Sequence, residues 1–201
     1  MTSNLITTVC LVRHGETDWN VARRYQGWAD TPLNAVGLAQ AETVARVIAV
    51  EEPGWDVIVS SPLSRALQTA RAIAAATGHD GILEDPDLRE RGYGEAEGTT
   101  LEEREARWPG TEWPGLEPYE LMQERAVAVL ERIVAAHRGQ RILVVSHGGL
   151  INAVLNSLTG GEHGTGITVI LNTARTTLHR TGEGWEIETF TDASHLELSI
   201  R

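Results

Sequence analysis

The chain predicts an α/β fold: a mainly parallel sheet with helices on both faces, followed by antiparallel strands near its carboxyl end. Three observations lead to this reading. Short, β-branched apolar runs at 9–12, 57–59 and 142–145 show no polar alternation, as expected of strands buried on both faces. Stretches with apolar residues at helical spacing separate these runs. The end of the chain then changes to strand-like segments joined by short turns, which suits antiparallel pairing.

The elements follow in order. Val9-Cys10-Leu11-Val12 is the first strand, and it stops at Arg13-His14-Gly15, where glycine permits a tight turn. Asp30-Thr31-Pro32-Leu33-Asn34 is turn material with Asn34 as N-cap of a helix. Leu38, Ala41, Ala45 and Ile48 form the inner face of that helix, and Pro53-Gly54 ends it. Val57-Ile58-Val59 is a second strand, ending at Ser60-Ser61-Pro62. The next helix turns Ala66, Ala70 and Ile73 inward and carries Arg65 in its first turn. From Leu83 to Gly98 the chain is charged and glycine-rich and reads as a loop. Leu101–Trp108 reads as a short helix, 108–115 as a loop bearing Trp108 and Trp113, and Tyr119–His137 as a long helix with Met122, Ala126, Val129, Leu130 and Ile133 inside. Ile142–Val145 is the strand before Ser146-His147-Gly148-Gly149, and a helix runs on through Leu150, Val154 and Leu158. Ile167–Leu171, Thr176–Arg180 and Trp185–Phe190 read as antiparallel strands, the last two joined by Gly182-Glu183-Gly184.

Composition narrows the function classes. With 201 residues, 41% apolar and 22% charged, the chain suits one globular domain, 1–201, with a small cap at about 88–118. A net charge of −11 argues against nucleic acid and anionic membrane surfaces as partners. A small anion would then be held by a few local arginines against the overall field. Cys10 is the only cysteine and lies within an apolar run, so it reads as a small buried side chain. A disulfide framework within the chain and a cysteine zinc site are both excluded. The first twelve residues carry neither a basic segment nor a long apolar core, and no stretch approaches a membrane span, so a cytoplasmic protein is expected. The oligomeric state is open, a homodimer included.

The chemistry gathers at two strand ends. In an open parallel sheet, ligands bind beyond the carboxyl ends of the strands, where the strand order switches. His14 and His147 each end an apolar run and precede glycine, so two imidazoles can meet there around one ligand. Arg13 and Arg65 also lie just past strand ends, and the planar guanidinium fork matches the oxygens of a phosphate monoester. Gln26-Gly27 and Gly148-Gly149 bring backbone N–H groups within reach of such oxygens. A neutral imidazole can attack phosphorus, and a carboxylic acid can protonate the leaving alkoxide. Glu90, in Leu88-Arg89-Glu90-Arg91-Gly92-Tyr93-Gly94, can serve as that acid if its glycines let the loop fold over the site, though a solvated charge run is the plainer reading. His79, His137, His163, His179 and His195 have no partner pattern and read as surface or ordinary hydrogen-bonding residues.

Leu11-Val12-Arg13-His14-Gly15-Glu16-Thr17-Asp18-Trp19-Asn20 resembles the signature of the histidine phosphatase superfamily, the phosphoglycerate-mutase-like proteins. The similarity continues, in the family's order, through Gln26–Leu33, Ser61–Ala70, Leu88–Gly98 and Val145–Gly149. The resemblance implies a three-layer α/β/α sandwich and phosphoryl transfer without a metal or other cofactor. It implies His14 as the nucleophile that becomes phosphohistidine. Arg13, Arg65 and His147 would surround the phosphoryl group, with Asn20 a further ligand and Glu90 the proton donor and later the base. Gln26, Gly27, Tyr93 and Gly148 would contact substrate, and Trp28 would line the mouth with Tyr93.

Mutase members of the family carry a longer segment between the glutamate loop and the second histidine. Here only Arg91 to Ser146 separates them, and Leu101 stands where mutases tend to place a lysine. A short connection suits an open, hydrolytic site, whereas a mutase must keep its phosphohistidine dry. The expectation is therefore a phosphatase acting on a small phosphate ester. A cofactor-dependent phosphoglycerate mutase is the alternative, and a non-catalytic sensor of phosphorylated metabolites is a third reading. A metal-dependent hydrolase is disfavoured, since arginines aimed at one centre repel a dication and no His-x-x-x-His spacing is present. Trp108 and Trp113 either shape selectivity or pack a cap onto the body.

Overall fold

The structure, a computed structural model, describes residues 5–196. Its sheet holds six strands: β1 (Thr7–Arg13), β2 (Val57–Ser60), β3 (Leu83–Glu84), β4 (Arg141–Ser146), β5 (Arg175–Arg180) and β6 (Trp185–Asp192), in the order β3-β2-β4-β1-β5-β6. The first four are mutually parallel, while β5 lies antiparallel to β1 and β6 antiparallel to β5. The helices are α1 (Asp18–Val21), α2 (Ala35–Ala49), α3 (Ser64–Thr77), α4 (Leu101–Arg107), α5 (Tyr119–Ala136) and α6 (Gly148–Leu158). No helix among the described residues is long and apolar enough to cross a membrane.

The two-residue period of a strand builds the layers. Val9 and Leu11 of β1, with Ile142 and Val144 of β4, pack against Met122, Ala126, Val129 and Leu130 of α5 and Leu150, Ile151 and Val154 of α6. Cys10 and Val12, with Leu143 and Val145, face the other way onto Val44, Ala45 and Ile48 of α2 and Ala66, Ala70 and Ile73 of α3. The expected three-layer α/β/α sandwich is what the chain forms. Each apolar run is continuous because each strand has a helix layer on both sides.

This arrangement also locates the ligand crevice. The chain leaving β1 passes to α2 on one face, and the chain leaving β4 passes to α6 on the opposite face, yet β1 and β4 are hydrogen-bonded neighbours. Connections diverge at that pair, so their carboxyl ends open a cleft. Parallel register sets Arg13 beside Ser146, and the His14 N–H donates to the Ser146 carbonyl at 3.0 Å. His14 and His147 therefore sit level at the head of adjacent strands.

Several local expectations change. Ala41, Ala45 and Ile48 of α2 face the core as expected, but Leu38 is 46% exposed, and Gly37 and Val44 complete the buried stripe. Asn34 does cap this helix, its side-chain oxygen accepting the Gly37 N–H at 2.8 Å. The stretch Leu83–Gly98 is more ordered than a loop, holding β3 and two 3-10 turns, Pro86–Leu88 and Gly94–Ala96. The segment Ile167–Leu171 is not a strand. The antiparallel edge of β1 is taken by β5, and the 164–168 stretch turns back on itself through Ile167 and Thr168 N–H bonds to the Gly164 carbonyl. Its alternation survives as exposed Ile167, Val169 and Leu171 around buried Ile170.

Candidate active site

His14 is 3% exposed, and its Nδ1 lies 2.7 Å from the Gly15 carbonyl. A carbonyl only accepts, so Nδ1 carries the proton and Nε2 keeps its lone pair. The turn after it is tight: a Cβ on Gly15 would sit 2.5 Å from the Gly37 carbonyl oxygen, and one on Gly37 would sit 2.0 Å from that of Glu16. Glycine meets glycine where the histidine loop lies on the first turn of α2, and no side chain fits between them.

His147 is fully buried at the N-cap of α6, with its ring centroid 5.1 Å from that of His14 and the planes at 60°. Its Nε2 lies 2.8 Å from the Ser61 hydroxyl, which also accepts the Leu63 N–H. That hydroxyl still has its proton to give; where it donates to Nε2, the His147 proton stands on Nδ1, a buried nitrogen with no partner among the described residues. Burial, then Arg65 and Arg13, push the His14 pKa well below the ordinary histidine value. Burial, then Arg65, His14 and Arg13, do the same to His147. Both rings are neutral near pH 7.

His14 opens onto a cavity of about 410 Å³, lined also by Arg13, Arg23, Arg24 and Arg65 with Glu90 as its carboxylate. A chain of net charge −11 thus concentrates four guanidinium groups at one place. Arg65 is fully buried and donates to the carbonyls of Ala29 and Gly27 at 2.9 and 2.8 Å; burial first, opposed by Glu90, brings its pKa down to about 10. Arg13 donates to the Ile170 carbonyl, and its buried Nε has no partner among the described residues. Burial lowers its pKa as well, against the pull of Glu90.

Two amides complete the positive lining. Asn20 accepts through Oδ1 from the Thr17 N–H at 3.0 Å and Gln26 through Oε1 from the Thr31 hydroxyl at 2.7 Å, and the one Thr17 hydroxyl proton is shared between these two oxygens at 3.1 and 3.0 Å. Both oxygens are used, and neither NH₂ group has an acceptor among the described residues. Two cavity-lining amides thus present donors.

Glu90 reaches the site from the loop after β3. Its carboxylate accepts the Gly149 and Leu150 N–H groups at 2.9 and 3.1 Å and the Arg91 N–H at 2.9 Å, so the open first turn of α6 anchors it. The loop is fastened from behind by Arg125 of α5, which donates to the Asp87, Arg89 and Glu90 carbonyls and pairs with Glu117 at 2.9 Å. Ser146 adds a bond to the Leu88 carbonyl at 2.8 Å.

All ten expected site residues gather here, nine on the cavity wall and His147 against His14. Gly27 lines the wall and holds Arg65 through its carbonyl; Gly148 lies beside Arg13. Tyr93 also lines it, its pKa raised by burial and then by Glu90. Trp28 does not line the cavity. It secures the loop instead, its indole N–H 2.8 Å from the Glu90 carbonyl and its ring 4.1 Å from the Arg89 guanidinium carbon. Trp113 donates to the Tyr93 carbonyl at 2.7 Å, and neither it nor Trp108 reaches the cavity, so the packing role is the one seen. The sequence reading missed Ser61, Arg125, Arg23, Arg24, Tyr25 and Asn152. Only Ser61 carried a signal, as the last serine before Pro62 at a strand end.

The family profile "Histidine phosphatase superfamily (branch 1)" matches residues 9–193. A Bacillus subtilis (strain 168) relative named "Uncharacterized phosphatase PhoE" is 40% identical over 98% of this chain and 100% of its own length. An Arabidopsis thaliana "Metal-independent phosphoserine phosphatase" is 34% identical over 95% of this chain and 84% of its own. A Proteus mirabilis (strain HI4320) "Probable phosphoglycerate mutase GpmB" is 37% identical over 94% of each. Among solved structures, Bacillus stearothermophilus YhfR superposes with a TM-score of 0.83 at 29% identity, covering 94% of this chain and 99% of that one.

Proposed function

The chain belongs to branch 1 of the histidine phosphatase superfamily, and from that premise we propose that it hydrolyses small phosphate monoesters through a phosphohistidine at His14. One observation carries the assignment: two uncharged imidazoles lie 5.1 Å apart, with His14 on the wall of a cavity lined by arginines and His147 packed edge-on against it.

The steps follow from the atoms available. The phosphoryl oxygens take donors from Arg13, Arg65, the Asn20 and Gln26 amides and the His147 Nδ1–H, whose hydrogen bonds elsewhere leave those donors over. His14 Nε2 attacks phosphorus and forms a P–N bond as the bond to the ester oxygen breaks. Glu90 supplies the proton that makes the leaving group an alcohol. In the second half Glu90 takes a proton from water, the water oxygen bonds to phosphorus, and the P–N bond breaks to give phosphate and neutral His14. Tyr93 and Gly148 line the cavity where the ester group would lie.

His14→Ala should abolish turnover and remove an acid-labile phosphoenzyme seen in wild-type protein quenched during reaction with p-nitrophenyl phosphate. A variant that keeps turnover overturns the nucleophile assignment. Assaying a panel of phosphate monoesters together with 3-phosphoglycerate interconversion separates the two family activities. Isomerisation faster than phosphate release would make this chain a mutase.

A further inference from the structure

We infer that His195 is a positioning residue for His14, acting through the strained backbone of Thr173. The inference rests on His14 being the nucleophile proposed above. It begins at the opposite end of the chain from that histidine, in a residue that the sequence marks only as an ordinary polar side chain.

Thr173 has φ +60°, a left-handed conformation that a β-branched residue adopts only when its surroundings impose it. It is fully buried. That conformation lets two successive residues grip Arg13 of β1: the Thr173 N–H donates to the Arg13 carbonyl at 3.0 Å, and the Ala174 carbonyl accepts the Arg13 N–H at 3.1 Å. The same N–H lies 3.4 Å from the His14 carbonyl, which also accepts from the Asn172 side-chain amide at 3.0 Å. The turn 172–174 therefore clamps the peptide groups on both sides of His14. The imidazole itself is tied to the main chain just beyond, at the Gly15 carbonyl, so the aim of Nε2 depends on that backbone.

The hydroxyl of Thr173 shows what holds the turn. It donates its one proton to the Asn172 carbonyl at 2.7 Å and lies 2.9 Å from Nε2 of His195. With the hydroxyl proton used, Nε2 must be the donor. His195 is 1% exposed, its Nδ1 has no partner among the described residues, and among them the bond to Thr173 is the single hydrogen bond of the ring. Burial, and then Arg175, lower its pKa and favour the neutral ring, whose one proton this bond places on Nε2. A buried side chain with one hydrogen bond, spent on a strained residue that clamps the nucleophile, is placed to hold a geometry.

The test combines His195→Phe, His195→Gln, Thr173→Gly and the double variant Thr173→Gly/His195→Phe. Rapid-quench formation of the phosphoenzyme from p-nitrophenyl phosphate reads the aim of His14, and the inhibition constant for inorganic phosphate reads the arginine cup. His195→Phe should slow phosphoenzyme formation about 10- to 100-fold, the scale of a small misplacement of a reacting group, with phosphate inhibition unchanged. His195→Gln, which keeps an N–H donor, should recover part of the rate. Glycine takes a positive φ without support, so in the Thr173→Gly background His195→Phe should cost nothing more. Phosphoenzyme formation at the wild-type rate in His195→Phe overturns the inference. So does an equal loss in both backgrounds, or a loss matched by weaker phosphate inhibition. Should His195→Phe not fold, Thr173→Val, which keeps the shape and deletes the hydroxyl, decides the same question: wild-type rate overturns. A wild-type protein that forms no phosphoenzyme overturns the His14 assignment instead.

Discussion

At the scale of single residues, the site depends on two histidines that stay uncharged. Their folded pKa values lie well below the ordinary 6.5, by burial and by the neighbouring arginines. The unfolded chain therefore binds protons that the folded chain refuses. The stability this confers is complete above about pH 6.5 and is lost as pH falls from there toward the native values, at up to about 1.4 kcal/mol per pH unit for each ring. Urea midpoints should decline on acidification below that point, and His147→Phe, neutral at every pH, should flatten the decline. The His14 and His147 resonances in NMR should show no titration between about pH 7.5 and 5.5; titration near 6.5 in either would contradict their uncharged state. At this scale the charge-bearing residues were readable in the sequence, because strand ends and glycines mark where they project. Their partners were not. Ser61 meets His147 across 86 residues of chain and Arg125 holds the Glu90 carbonyl across 35, and no local pattern encodes such separations.

At the scale of elements, the placement of the His14 loop depends on the helix beneath it. Gly37 lies in the first turn of α2, where replacing glycine by alanine ordinarily favours a helix by roughly 1 kcal/mol. Here the sign reverses, because the new methyl would fall 2.0 Å from the Glu16 carbonyl oxygen and 2.7 Å from its nitrogen, both main-chain atoms. The loop or the helix must move, at a cost of about 1–3 kcal/mol, as in other overpacked sites. Gly37→Ala should lower the denaturant midpoint and also kcat, since the displaced loop is the one carrying His14. Increased stability with unchanged kcat would mean that the contact gives way freely. Elements were legible where period and length agreed, as for α5 and β4. They were misread where an alternating pattern had no free strand to pair with, as at 167–171. Alternation records which side chains share a face; pairing depends on whether an edge is open, and β5 had already taken the edge of β1.

At the scale of the whole molecule, topology and charge act together. Opposite departures from β1 and β4 open one crevice, and the sequence indicated it because both strands end in the same His-Gly pattern. A net charge of −11 keeps polyanions from the surface, while four arginines on one cavity wall reverse the sign locally over a span comparable to the screening length, ~8 Å at physiological salt. Such a pocket accepts a compact anion and resists a dication. Among the described residues, no group of three or more His, Cys, Asp or Glu side chains is placed to hold a metal ion. The positive charge that a metal would bring to a phosphoryl group is already supplied by guanidinium groups, which are fixed by hydrogen bonds to main-chain carbonyls rather than recruited from solvent. Exhaustive chelation followed by assay in metal-free buffer should therefore leave kcat on p-nitrophenyl phosphate unchanged. A several-fold loss restored by one added divalent cation would show that the arginines do not suffice, and the attack by His14 would then need a different source of charge stabilisation.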